Sequence, residues 1–297
     1  MESLLHKEKK RSDIMKLTVA LNSINNINKY KKIGATAFIF ALKDYSCGYE
    51  KYFTLDEIKS VIESDIEVFI SLNKNFFNDE LDSLKEVLKE IDKLNIKGIL
   101  FYDMAILKYK KDLNLKADLV WDQTHMVTNY NTCNYYLDKG VKYGVISKEI
   151  TIEEINEIVS NTKMKIMTNV VGYPIESYTR RSLVTNYFKA HNINKNNNRY
   201  VIVNNGEEHI INEEEHGTAI YNGKILNGSD IINELNSEYA IFNESFIDEE
   251  LFGKVLTLFV KLIDSKDENI KKEIDELIGD YRGFFHTKTI YKVKNNG

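Results

Sequence analysis

Proline and cysteine are almost missing from this chain, whose 297 residues include one proline and two cysteines. Cys47 and Cys133 lie far apart, form no CxxC pair and fall at no metal-ligand spacing. That removes a disulfide-stapled fold and a thiolate zinc site from consideration. So few thiols suit a reducing compartment, and the expected location is the cytoplasm. No apolar run approaches the roughly 20 residues that a membrane span needs. The opening stretch, Met1 to Ile14, is charged and has no hydrophobic segment followed by a cleavage site, so it does not read as a signal peptide. These residues are expected to form a disordered extension. The six histidines show no HxH or HExxH spacing, and neither GxSxG nor GxxxxGKS/T occurs. Signatures of a metal site, of a serine hydrolase and of a nucleotide-binding loop are therefore absent. A net charge of −5 excludes a globally basic nucleic-acid coat and leaves room for a local basic groove.

What is present is alternation. Hydrophobic residues make up 43% and charged residues 29%, an ordinary globular mixture. From Lys16 onward, short β-branched or aromatic runs alternate with amphipathic stretches. Strands are expected at 17–21, 35–41, 67–72, 98–102, 118–121, 143–146, 165–171 and 239–242. Helices follow most of them. Thr54 is placed to cap one, and Thr151 with Glu154 forms a capping box for another. Leu81, Leu84, Val87, Leu88, Ile91 and Leu94 recur every three or four positions in a third. Eight strand–helix units predict an α/β fold, a (β/α)8 TIM-like barrel, although an open doubly wound sheet would share the alternation. Residues 200–225 alternate apolar and polar side chains between Gly206, Gly217 and Gly223. They predict a small antiparallel β insertion, at about 197–228, between the seventh and eighth units. With no internal repeat and no Pro/Gly-rich linker, residues 15–297 are read as one barrel domain.

In such barrels the loops after each strand build the functional face. Those positions hold Asn73, Asp103, Gln123, His125, Lys148, Glu149, Asn169, Tyr173 and Asn243 among other polar residues. Loops are polar in any case, so only part of this set need line a cavity. His125, with Glu149 and Asp103, is a candidate for acid–base catalysis; a structural hydrogen-bonding histidine is the competing reading. Glu213, Glu214 and Glu215 beside His216 read as a solvated turn. The stretch Gly172 to Arg181 places Arg180 and Arg181 among tyrosines directly after a strand, suiting them to hold a phosphate or carboxylate while a ring stacks on a base. Ordinary charges at the start of a surface helix are the alternative.

Several blocks resemble the peptidase U32 family. Trp121-Asp122-Gln123-Thr124-His125-Met126-Val127-Thr128-Asn129 is followed by Tyr143-Gly144-Val145-Ile146-Ser147-Lys148-Glu149. Then come Asn169 to Tyr173, Ser177 to Phe188 and Gly283 to Lys294. The last two blocks are similar to a short bacterial branch of the family, found beside a longer paralog. The resemblance implies a collagenase-like protease label, and also a relation to proteins that hydroxylate RNA bases, including the wobble uridine of tRNA. In those relatives four cysteines are thought to hold an iron–sulfur cluster. The family's cysteines follow the seventh strand, where this chain has none, and Lys148 replaces the family's arginine.

No cofactor is therefore expected in this chain, and no metal site; a partner paralog is the expected holder of any cluster. The leading functional expectation is an auxiliary subunit in tRNA wobble-uridine hydroxylation, working as a hetero-oligomer with a cysteine-bearing U32 paralog and with tRNA. Asn73, Gln123, Asn129, Lys148, Tyr173, Arg180, Arg181 and Asn243 are the expected contacts to ligand or RNA. A U32-type peptidase, and a barrel that binds a small carboxylate or phosphate, are the alternatives.

Overall fold

The computed structural model describes residues 15–62, 65–122 and 127–288. The expected extension at 1–14 lies outside this set. Strands and helices alternate as β1 (Lys16–Ala20), α1 (Ile27–Ile33), β2 (Ala35–Ala41), α2 (Leu55–Val61), β3 (Glu67–Leu72), α3 (Leu81–Ile91) and β4 (Gly98–Phe101). They continue as α4 (Met104–Asp112), β5 (Asp118–Trp121), α5 (Tyr130–Asp138), β6 (Tyr143–Val145), α6 (Ile152–Asn161) and β7 (Lys165–Gly172). After an inserted segment come β13 (Tyr239–Asn243), α8 (Glu249–Ser265) and α9 (Glu268–Ile278). Strands β1 to β7 and β13 pair in parallel, and the β6–β7 pairing closes the ring. The result is an eight-stranded parallel barrel wrapped by helices.

Strand parity explains how the two faces are filled. Along β2, Phe38 and Phe40 point outward beneath the helices, whereas Ala37, Ile39 and Ala41 point into the barrel. The outer layer is the larger core, and the helices supply it with stripes such as Leu84, Leu88 and Ile91 of α3. Helix α8 contributes Phe252, Leu256, Phe259 and Leu262, all buried. Burying each such side chain contributes about 1.5–3 kcal/mol. Helix starts follow local chemistry: Thr54 with Glu57, and Thr151 with Glu154, form complete capping boxes. Helix α9 has no counterpart in the sequence reading. Lys266, in the left-handed region at φ 56°, ends α8, and Ile274 and Ile278 then fold back into the core.

The inserted segment runs β8 (Ile175–Thr179), α7 (Leu183–Ala190), β9 (Arg199–Asn204), β10 (Glu207–Glu214), β11 (Gly217–Asn222) and β12 (Leu226–Asn227). Four of its strands form an antiparallel sheet in the order β8-β11-β10-β9, while β12 pairs antiparallel with β7. Residues 175–179, which sequence assigns to a loop or helix start, form a strand because β11 offers Thr218 to Tyr221 as partners. Nothing local announces that pairing. Gly217 permits the two-residue turn between β10 and β11: at φ 146°, a Cβ there would lie 2.0 Å from the Thr179 carbonyl oxygen. Among the described residues no helix is long and apolar enough to cross a membrane.

Candidate functional site

The two ends of the barrel differ. At the amino-terminal end Phe69, Tyr143 and Tyr239 meet edge to face, with ring centroids 5.4–5.9 Å apart. Beneath them Glu67 accepts hydrogen bonds from Lys16 at 2.7 Å and Tyr239 at 2.7 Å, and pairs with Lys97 at 3.0 Å. At the carboxyl-terminal end the inward residues are shorter, including Ala20, Ile39, Val145 and Ile241. A cavity of about 90 Å³ remains there. It adjoins a second of about 310 Å³, and Asn73, Asp122 and Ile175 line both. Strand β8 forms one wall, with Ile175, Glu176, Ser177 and Tyr178 on the larger cavity.

The lining of this cleft is rich in donors. Asn73, just after β3, accepts the Cys47 amide on its Oδ1 at 3.0 Å. Asn243, at the end of β13, accepts the Ser245 amide at 2.9 Å. With both carbonyls held, each amide presents its NH2 group as the remaining polar function. Asn169 of β7 also lines the cleft. Lys148, after β6, is largely buried and donates to the Ile175 carbonyl. Burial lowers its pKa, with Glu149 and Glu176 opposing that shift. Gly172 passes so close to β13 that a Cβ would stand 2.8 Å from that of Asn243, and its φ of 140° belongs to glycine.

A second polar cluster lies where the inserted sheet meets the loop after β2. Glu214 is half-buried there and accepts a hydrogen bond from the Tyr52 hydroxyl. Desolvation outweighs that bond and pushes the carboxyl up to about 7. Cys47 and Tyr178 separate it from the cleft, and burial raises both of their pKa values. The Tyr221 hydroxyl, buried beside them, has no hydrogen-bond partner among the described residues.

Of the residues singled out in sequence, Asn73, Lys148, Tyr173 and Asn243 line the cleft together. Others hold the scaffold. Asp103 caps α4, accepting the amides of Ala105 at 2.9 Å and Phe76 at 3.0 Å. Asn129 caps α5 through the Thr132 amide at 2.9 Å. Glu149 is exposed beyond the cavity lining. Arg180 is committed within the protein: it grips Glu80 at 3.0 and 3.2 Å, donates to the Asn75 carbonyl at 2.5 Å and stacks on Phe77. Glu80 also accepts from Lys74. Although burial raises its carboxyl pKa, these bonds outweigh that and hold it at about 2. Arg181 keeps an exposed side chain with no ion pair among the described residues. Gln123 and His125 lie outside the described residues.

The glutamate run differs from the sequence reading. Of the three only Glu215 is exposed. Strand parity sends Glu213 to α7, where it pairs with Lys195 and accepts from Thr185, and sends Glu214 to the barrel side. Asp122 and Asn169 add to the polar lining of the cleft, and Glu214 lies behind it. The signal that would have separated Glu214 from its neighbours is the two-residue period of β10, which a charge run conceals.

A family model described as peptidase family U32 matches residues 22–279. Two curated proteins of Bacillus subtilis (strain 168) are similar to the chain. One, tRNA hydroxylation protein P2, is 28% identical over 177 residues, covering 58% of this chain and 57% of that protein. The other, tRNA hydroxylation protein P1, is 21% identical over 190 residues, covering 61% of this chain and 45% of that protein. The chain thus spans about half the length of the curated relatives it matches. Among solved structures, the U32 peptidase Mk0906 superposes with a TM-score of 0.45 and 12% identity, covering 61% of this chain and 80% of that one.

Proposed function

This chain belongs to peptidase family U32, and from that premise we propose that it is a component of a tRNA hydroxylation system that acts on wobble uridine beside a second, cysteine-bearing U32 protein. The observation that carries this reading is the similarity to tRNA hydroxylation proteins P2 and P1, two related proteins of one organism.

The cleft supports it chemically. Uracil presents two carbonyl acceptors flanking one N–H donor. The mouth of the barrel offers the amides of Asn73 and Asn243 and the ammonium of Lys148 as donors, and Asp122 lines the cleft beside them. Tyr102 and Tyr178 line the larger cavity, where an unstacked base would find a flat apolar partner. Arg181 is the exposed cation available to the RNA backbone.

The residues present do not fit an iron–sulfur cluster. Such a cluster takes four thiolates. Cys47 is buried in the loop after β2, Cys133 is buried in α5, and the chain has no other cysteine. Burial raises both thiol pKa values, which disfavours the thiolate a ligand must be. A redox centre for hydroxylation therefore belongs to the partner in this reading, with the chain described here holding or presenting the base.

The peptidase reading has less behind it. Asp103 is engaged in capping, Glu149 lies outside the cavity lining, and a buried protonated Cys47 makes a poor nucleophile. The donor-rich cleft with its single lysine also suits a small carboxylate or phosphate, the second reading that a specific feature favours.

Mass spectrometry of tRNA nucleosides tests the proposal. A strain lacking this gene is complemented with the wild type or with Lys148→Met. Loss of 5-hydroxyuridine-type modification, restored by the wild type and reduced at least about tenfold with Lys148→Met, is the expected result. An unchanged nucleoside profile in a strain lacking this gene and its U32 paralogs would overturn it.

A further inference from the structure

Away from the cleft lining, three metal-ligating side chains converge from distant parts of the chain. Asp44 belongs to the loop between β2 and α2. Glu215 and His216 form the two-residue turn between β10 and β11. One ligand atom from each lies within 4.8 Å of the other two. The His216 Nε2 and the Asp44 Oδ1 are 3.5 Å apart. That is long for a hydrogen bond. It matches the separation of two ligand atoms that each stand about 2.1 Å from one shared ion, roughly 3–3.5 Å for tetrahedral or octahedral angles.

Two further observations point the same way. The His216 Nε2 atom is shut off from solvent, though its ring is partly exposed, and among the described residues it has no hydrogen-bond partner, so this nitrogen stands by the carboxylates without a bond to satisfy it. Neither Asp44 nor Glu215 forms an ion pair with a lysine or arginine among the described residues, so no cation of the protein neutralises them. The backbone of His216 is fixed independently, since its carbonyl accepts the Tyr178 hydroxyl at 2.8 Å. The backbone that carries the imidazole is thus anchored by a residue of the cleft wall.

We propose that Asp44, Glu215 and His216 bind one divalent transition-metal ion, of the zinc or manganese class, that fastens the tip of the inserted hairpin to the loop after β2. One imidazole and two carboxylates are a borderline-to-hard ligand set, suited to these ions. Three protein ligands leave one or more positions for water. The two segments joined in this way carry the cleft wall: the loop after β2 supplies Cys47, Gly48 and Tyr49, and the turn directly follows Glu214. An ion here braces the inserted sheet against the barrel mouth and takes no part in holding the substrate. The inference stands apart from the RNA reading and survives its failure.

Calorimetric titration of the chelator-stripped, tag-free full chain with Zn2+ and with Mn2+ tests it. The expected result is one ion per chain, weakened at least about tenfold by Asp44→Asn and by His216→Gln. The thermal midpoint of the wild type alone should rise with ion concentration. Glu215→Gln, at an exposed turn position, guards against loss of fold as the cause and should weaken binding likewise. Absence of saturable binding up to about 1 mM, a binding free energy near −4 kcal/mol, would overturn the proposal. So would binding that all three variants retain.

Discussion

The two ends of this barrel are built from the same eight strands and the same alternation, yet they carry opposite chemistry. At the amino-terminal end three aromatic rings fill the interior, and Glu67 gathers Lys16, Lys97 and the Tyr239 hydroxyl beneath them. Every polar atom named there has a partner inside the protein. At the carboxyl-terminal end small inward residues leave a cleft, and the asparagine amides that line it are tied on one side only. Smaller inward side chains toward the carboxyl ends of the strands turn a packed plug into an open cleft. The plug stabilises the fold, and the other end leaves polar groups around a cavity.

The plug gives the largest expected effect. Tyr239→Ala removes two edge-to-face ring contacts and the hydrogen bond to Glu67 from a site without solvent. It should cost about 3–5 kcal/mol, read from the midpoint of urea unfolding. An effect below about 1 kcal/mol would mean that the amino-terminal end collapses around the gap and that the contrast between the ends is overstated.

Acidity separates the ends by sign. Burial pushes the Glu67 carboxyl up, but hydrogen bonds from Lys16, Tyr239 and Lys97 outweigh it and hold the pKa below the ordinary value. Its contribution is therefore present above the unfolded carboxylate pKa and is lost as the pH falls. Glu214, near the open end, is pushed up to about 7 by burial. The folded protein keeps that proton between the ordinary carboxylate pKa and about 7 while the unfolded chain has released it. Stability from this group therefore falls as the pH rises across that window, by on the order of 2 kcal/mol. Thermal midpoints measured from pH 5 to pH 8 should decline in the wild type and decline less in Glu214→Gln. Equal slopes in the two proteins would remove Glu214 as the cause.

The adjacent arginines give the smallest and most discriminating test. Arg180→Ala takes one cation from Glu80, which keeps Lys74, and leaves the Asn75 carbonyl without its donor; it should cost about 2 kcal/mol. Arg181→Ala, at an exposed side chain, should change stability by less than about 0.5 kcal/mol. If the two variants unfold alike, the division between a scaffold arginine and a surface arginine fails.

Much of the scaffold was legible in the sequence. The strands at 35–41, 67–72 and 118–121 and the helix carrying Leu81, Leu84, Leu88 and Ile91 stand where periodicity places them, and the Thr151–Glu154 capping box forms as expected. These features depend on residues only a few positions apart. The cleft was legible in part. Asn73, Lys148, Tyr173 and Asn243 follow from strand ends, because a barrel directs those positions to one face. The role of Arg180 was not legible, since its partner Glu80 lies 100 residues earlier. Strand β8 escaped notice for the same reason: its hydrogen bonds come from β11, across α7 and two other strands.

By itself the sequence determined the alternation of strands and helices, the lack of a four-cysteine ligand set and the list of polar residues from which a site can be drawn. These are matters of composition and short-range spacing, fixed before the chain folds. Only the tertiary structure decided which of those polar groups keep an unused hydrogen-bonding function. It separated Glu214 from Glu215, set Arg180 in the scaffold and Arg181 on the surface, and brought Asp44 to His216. The physical reason is that burial and pairing depend on neighbours distant in the chain, and a side chain's charge, reactivity and freedom are set by those neighbours.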